Sequence, residues 1–209
     1  MTGGGFFGRA RSRFRHQLLD RLEGMAAKAP YPPLPGIGSA SGSRPIGIAI
    51  VTVSDTRDAS TDTSGDLLEA RVREAGHDLV ERTICPDDAG EIYDVLRRWI
   101  ASKDVDAIIT TGGTGLTGRD VTPEALDRVK DKDIPGFGEL FRWISYESIG
   151  TSTVQSRACA VLAGDTFVFA LPGSNGAVKD GWDKILKDQL DIRHRPCNFV
   201  ELMPRLLER

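Results

Sequence analysis

The feature that most limits the fold of this chain lies between residues 105 and 124. An apolar, β-like run, Val105 to Ile109, breaks into Thr110-Thr-Gly-Gly-Thr-Gly-Leu-Thr-Gly-Arg-Asp120, and a helix start follows at Thr122-Pro123-Glu124. A strand that gives way to bare backbone and then to a helix is how α/β proteins build an anion site. Glycine lets main-chain N–H groups approach a phosphate with no Cβ in the way. Asp120 inside such a loop is unexpected, because a lone carboxylate repels phosphate. A divalent cation between the two resolves the conflict.

The rest of the chain supplies the sheet that such a loop needs. Ile46–Val53 is a continuous apolar, β-branched run suited to a buried parallel strand. Residues 64–75 read as a helix stopped by Gly76, and 78–85 as a second strand. Residues from about 105 to 111 read as a third strand. Ile92, Val95, Leu96, Trp99 and Ile100 recur at helical spacing. Short helices are expected at 124–129 and 136–148, the latter with Phe137, Leu140, Phe141 and Ile144 as its apolar face. Strands at 158–163 and 166–171 flank the hairpin signal Gly164-Asp165, a helix spans 175–190, and a last helix starts near Val200. This order predicts a three-layer α/β/α sandwich with a mostly parallel sheet plus an antiparallel hairpin. In such a sheet the polar loops Ser54-Asp55-Thr56, Pro86-Asp87-Asp88, the glycine loop and Pro172-Gly173-Ser174 meet at the carboxyl ends of strands, where ligands bind.

Charge divides the chain. Residues 1–44 carry seven basic and two acidic side chains, whereas the remainder carries 20 basic and 28 acidic ones. Residues 1–44 read as a basic, flexible N-terminal extension and linker, and 45–209 as the folded body. The Arg-rich start also fits a transit peptide, and Leu18, Leu19 and Leu22 fit a short docking helix. An acidic body argues against nucleic acid as a partner. No apolar run approaches the ~18–20 residues that span a bilayer, so no membrane partner is expected. Three distant cysteines, Cys85, Cys159 and Cys197, offer neither a zinc ribbon nor a disulfide framework and imply a cytoplasmic protein.

The glycine loop excludes its two commonest readings. Gly113, Gly115 and Gly118 fit G-x-G-x-x-G, but the helix starts only at Thr122 and Asp133 falls among helices, so the dinucleotide fingerprint fails. No Gly-Lys-Ser/Thr follows, so a Walker A loop fails too. Asp87 and Asp120, at two strand ends, are the candidate Mg2+ ligands, with Asp88 as an alternative to Asp87. Magnesium binds through one or two carboxylates plus substrate phosphates and keeps several waters. The stretch 151–157, with Ser152, Ser156 and Arg157, is dense in hydroxyls and ends in a guanidinium suited to phosphate or a polar heterocycle, or else is a capped helix start. His16, His77 and His194 make no ligand spacing and are expected on the surface. Cys85 is expected to pack in the core. Trp143 and Tyr146 are expected to pack in the core or an interface.

These motifs resemble the MoaB/Mog proteins of molybdenum cofactor biosynthesis. Thr110 to Gly115, Arg119 to Glu124, Ile134 to Glu139, Gln155 to Arg157 and Leu171 to Gly173 carry the likeness over about residues 45–200. Gly150 to Arg157 and Arg195 to Phe199 are similar to the MoaB branch in particular. The resemblance implies a molybdopterin-binding domain that forms a homo-oligomer, trimer or hexamer. It further implies Mg-ATP-dependent adenylylation of molybdopterin with release of pyrophosphate, served by Asp87 and Asp120. The alternative is a member that binds molybdopterin or a nucleotide without turnover. Under this reading Thr111, Gly112, Gly113, Thr114 and Gly115 cradle the nucleotide, Ser54 and Asp55 line the shared cleft, and Pro172, Gly173 and Ser174 border the pterin side.

Overall fold

In the computed structural model, residues 42–208 are described; the basic segment, its candidate helix and His16 lie outside them. Six strands form one sheet: β1 (Gly47–Val53), β2 (Asp78–Cys85), β3 (Ala107–Thr111), β4 (Lys132–Asp133), β5 (Cys159–Ala163) and β6 (Thr166–Leu171). Their spatial order is β2-β1-β3-β6-β5-β4. β2, β1, β3 and β6 run parallel, and β5 and β4 are added antiparallel at one edge. The helices are α1 (Thr63–Glu74), α2 (Ala89–Ile100), α3 (Thr122–Val129), α4 (Pro135–Ile149), α5 (Asn175–Gly181), α6 (Lys187–Gln189) and α7 (Phe199–Leu202).

Strand alternation sorts the core into two layers. Ile48, Ile50, Ile109, Phe167 and Phe169 face Leu68 and Val72 of α1, Phe137 and Phe141 of α4, and Val178 of α5. Ala49, Val51, Ile108, Val168 and Ala170 face Ile92, Leu96 and Trp99 of α2 and Ala125 and Leu126 of α3. Both faces of the central strands are therefore buried, as their unbroken apolar sequence requires. The result is the expected three-layer sandwich with its hairpin at Gly164-Asp165.

Several local expectations are corrected. β3 starts at Ala107, two residues later than expected, and β4 was not anticipated. Leu140 is exposed rather than part of the apolar face of α4. Trp143, which is 73% exposed, and Tyr146 lie outside the core on the solvent side of the same helix, which leaves only the interface half of their expectation. The residues after α4 form a 3-10 helix, Gly150–Gln155, because Gly150 leaves the helix at φ +57°. The helix expected over 175–190 is interrupted by a π-helical turn, Trp182–Leu186. His77 is buried against Trp182 rather than on the surface, and His194 is half-buried.

Candidate functional site

The four parallel strands deliver their following loops to one edge of the sheet. β3 and β1 end in register with β6 and β2, at Thr111↔Leu171 and Val53↔Cys85. Gly112 then donates to Leu171 O at 2.9 Å, and Ser54 N donates to Cys85 O at 2.9 Å. Thr111 Oγ1 donates to Pro172 O at 3.3 Å. The strand ends are thus laced together before the loops diverge.

Asp55 and Asp87 hold each other through their backbones. Asp55 N donates to Asp87 Oδ2 and Asp87 N donates to Asp55 Oδ1, both at 3.1 Å. Asp88 instead caps α2, accepting from the N–H groups of Gly90 and Glu91 at 2.8 and 3.0 Å. The two neighbouring acids are thereby assigned different tasks: Asp88 is taken by the helix, and Asp87 faces the glycine loop. Burial pushes the Asp87 carboxyl up, and the nearby charges of Asp55 and Asp120 push it further, against the Asp55 N–H and Arg119. Asp120 is held low, chiefly by the Thr117 hydroxyl, with the Thr117 and Gly115 N–H groups and Arg157 assisting against burial. Its Oδ2 accepts from Thr117 N at 2.8 Å and Thr117 Oγ1 at 2.6 Å. Arg119 pairs with Asp55 at 3.2 Å.

The glycine loop fits between these acids because Gly112, Gly113 and Gly115 carry no side chain. A Cβ on Gly113 would lie 3.3 Å from Asp87 Oδ1 and 2.3 Å from Thr122 Oγ1; one on Gly115 would lie 2.7 Å from Asp120 Oδ2. One on Gly112 would meet Val53 O at 2.2 Å. Gly118, the third glycine of G-x-G-x-x-G, faces open space. In a dinucleotide fold that position serves close helix packing, so the geometry agrees with rejecting the fingerprint. Arg157 staples the loop from outside: Nε donates to Gly115 O at 2.7 Å, and the other guanidinium nitrogens donate to Asp120 O and to Glu124. Its N–H donates to Thr114 O at 2.9 Å.

Beside the loop opens a cavity of about 440 Å3. Thr114, Gly115, Ser156, Pro172 and Ser174 line it, together with Ser145, Ser148, Gln155 and Asp180. Gly115 belongs to both parts, touching Asp120 on one side and the cavity on the other. Ser152 is exposed on the 3-10 helix and does not line it. Ser54 shapes its own loop, accepting from the N–H groups of Thr56 and Arg57 at 3.2 Å. Among the described residues no group of three or more His, Cys, Asp or Glu side chains could hold a metal ion. Two carboxylates remain compatible with a magnesium ion that takes its other ligands from phosphates and water. Cys85 packs in the core as expected, and burial, with Asp87 and Glu91 nearby, pushes its thiol up to about 12.

Residues 49–192 match the family model described as "Probable molybdopterin binding domain". This chain belongs to that family. It is 49% identical over 155 residues to molybdenum cofactor biosynthesis protein B of Escherichia coli (strain K12), a match covering 74% of this chain and 91% of the relative. A crystal structure of a molybdenum cofactor biosynthesis protein B superposes with a TM-score of 0.71 at 40% identity, over 79% of this chain and 98% of that one. The tungsten cofactor synthesizing protein MoaB from Pyrococcus furiosus superposes at 0.62 and 37% identity, over 69% and 92%. The family fixes the pathway as molybdenum cofactor biosynthesis and the ligand class as molybdopterin-related. Among the described residues no helix is long and apolar enough to cross a membrane.

Sequence reading missed Asp62, Arg57 and Arg82. Asp62 caps α1 and is fully buried, accepting from Gly65 N at 3.0 Å, Thr52 Oγ1 at 2.7 Å and Arg82 Nη2 at 2.8 Å. The Asp-x-Ser-Gly sequence at 62–65 carried a cap signal. An arginine in the second strand carried a hint of a buried partner.

Proposed function

We propose that this protein adenylylates molybdopterin. The terminal phosphate oxygen of the pterin attacks the α-phosphorus of ATP, a phosphoanhydride P–O bond forms, and the bond to pyrophosphate breaks. Asp87 and Asp120 would hold Mg2+, which supplies charge neutralisation when bound. The observation that carries this reading is the placement of both acids against one glycine loop that also lines the cavity. Gly112 donates its N–H to Leu171, and the Gly115 N–H is directed to Asp120; Gly113 and Thr114 are left to meet phosphate oxygens. The cavity walls, with Ser156, Pro172 and Ser174, would receive the pterin and keep it in line. Such a transfer depends on positioning and charge, not on a nucleophilic side chain. Incubation with molybdopterin and Mg-ATP tests it: molybdopterin-dependent pyrophosphate release is expected, and tight binding of both ligands without release refutes transfer.

The commitment of Asp120 Oδ2 to two Thr117 bonds favours a second reading, a member that binds molybdopterin or nucleotide without turnover. The same incubation separates the two.

The homo-oligomer, trimer or hexamer, is supported by Trp143, Tyr146, Ile149 and Val154, which form a large exposed apolar set on α4 and the following turn. Native mass measurement tests it. A cytoplasmic site is supported by the three free cysteines. Residues 1–44 are read as an appendage to the 45–209 body, so deletion of 1–43 is expected to leave fold and assembly intact.

A further inference from the structure

We propose that Arg57 is a positioning residue: steered by the buried carboxylate of Asp62, it sets the distance between the acidic wall of the site and the wall that would receive the pterin. The inference rests on the two-walled site proposed above.

The two walls come from loops 116 residues apart in sequence. Arg57 sits in the loop after β1, whose Asp55 is bonded reciprocally to Asp87. Its Nη2 donates to Gly173 O at 2.7 Å, in the loop after β6 between the cavity-lining Pro172 and Ser174. Its Nη1 donates to Ser64 Oγ at 2.6 Å. Ser64 Oγ lies 3.3 Å from Asp62 Oδ1, and Arg57 Nη1 itself lies 3.7 Å from that oxygen.

Donor and acceptor chemistry gives this chain one direction. A guanidinium only donates and an ionised carboxylate only accepts. The single Ser64 proton must therefore go to Asp62, and a Ser64 lone pair must take the Arg57 N–H. Asp62 is fixed in turn: Oδ2 accepts from Thr52 and Arg82, and Arg82 Nη1 also donates to Asp66 at 2.7 Å and Glu69 at 3.0 Å. Gly65 makes room, because a Cβ there would lie 2.0 Å from Asp62 Oδ2 and 2.7 Å from Arg82 Nη2. The guanidinium of Arg57 is thus aimed from behind by a rigid, buried relay, and its free end grips a carbonyl of the opposite wall. A fork of fixed geometry suits such a clamp better than a flexible ammonium.

Amide hydrogen exchange on the full chain, without ligand, is the first test. Arg57→Met keeps the aliphatic stem and removes the donors. The Ala177 and Val178 N–H groups at the start of α5 are expected to exchange about tenfold faster, while those of α3 stay unchanged. Isothermal titration is the second. Arg57→Met is expected to weaken molybdopterin binding about tenfold and to leave Mg-ATP within about twofold, with low guanidinium concentrations restoring part of the loss. Arg57→Lys is expected to recover less than half. Unchanged exchange at Ala177 and Val178 overturns the proposal, as does an equal loss of both ligands that guanidinium does not restore. If the unmodified protein binds neither ligand, the function proposed above fails, and the exchange result alone decides the role of Arg57.

Discussion

Replacing Gly115 by alanine separates the shape of the site from the stability of the fold. The new Cβ would lie 2.7 Å from Asp120 Oδ2, whereas ordinary contact begins near 3.4 Å. The carboxylate must retreat by about 0.7 Å. It is placed by two bonds from Thr117, and both are exposed to water. Losing them costs about 0.5–1.5 kcal/mol each. For a body of this size that lowers Tm by roughly 2–12 °C. Function suffers more, because a displacement near 1 Å in a positioned group costs about 100-fold in rate, and a misplaced metal ligand weakens Mg-ATP binding with it. Calorimetric melting and titration with Mg-ATP measure the two effects side by side. Gly118→Ala is the control, since its Cβ meets nothing, and it is expected to leave both unchanged. Near-normal Mg-ATP binding by Gly115→Ala would refute the argument that Asp120 and the loop act as one unit. So would a loss of binding in Gly118→Ala.

Asp120→Asn is expected to cut molybdopterin-dependent pyrophosphate release by at least about 100-fold while the protein stays folded; normal release would remove Asp120 from the metal assignment. Asp62→Ala removes the α1 cap and the buried acceptor of the Thr52 hydroxyl, while Arg82 keeps Asp66 and Glu69, and is expected to cost about 2–4 kcal/mol, read as a urea midpoint shift. His77 is buried with Nδ1 unpartnered, and burial lowers its pKa below 6.5 despite the opposing charges of Asp191 and Asp78. The unfolded state therefore binds the proton more readily, so this contribution to stability is complete above pH ~6.5 and is lost as pH falls through the lowered folded value. His77→Phe should flatten the dependence of the urea midpoint between about pH 7.5 and 5.5, and an unchanged slope contradicts this.

The long, periodic segments were legible because burial on both faces leaves an unbroken apolar run, as in Ile46–Val53. The glycine loop and its two acids were legible because loop chemistry is local: Asp120 stands five residues from Gly115, and Asp87 follows a strand end. Choosing between Asp87 and Asp88 needed the helix axis, since only the structure reveals that Asp88 meets the Gly90 and Glu91 N–H groups. β4 was missed because two exposed residues carry no period; Lys132 and Asp133 pair with β5 where the chain happens to pass. The contact from Arg57 to Gly173 was invisible for a different reason. Its acceptor is a backbone carbonyl, which every residue has. His77 reads as polar, yet Trp182 covers it after a turn more than 100 residues later.

The strand order also sets a timetable for the growing chain. β3 lies between β1 and β6, and its last residue, Thr111, is in register with Leu171. The glycine loop begins on the bond from Gly112 N to Leu171 O. During synthesis β1, β2 and β3 emerge with one flank of β3 unpaired until the β5–β6 hairpin follows about 50 residues later. Contacts that close long loops form late, so the ligand-binding edge is among the last parts to order. Until then a partly made chain presents an open, apolar strand, which is the state most exposed to misassembly on the ribosome. A ribosome-stalled chain ending before residue 166 should accordingly bind no ligand, however complete its glycine loop.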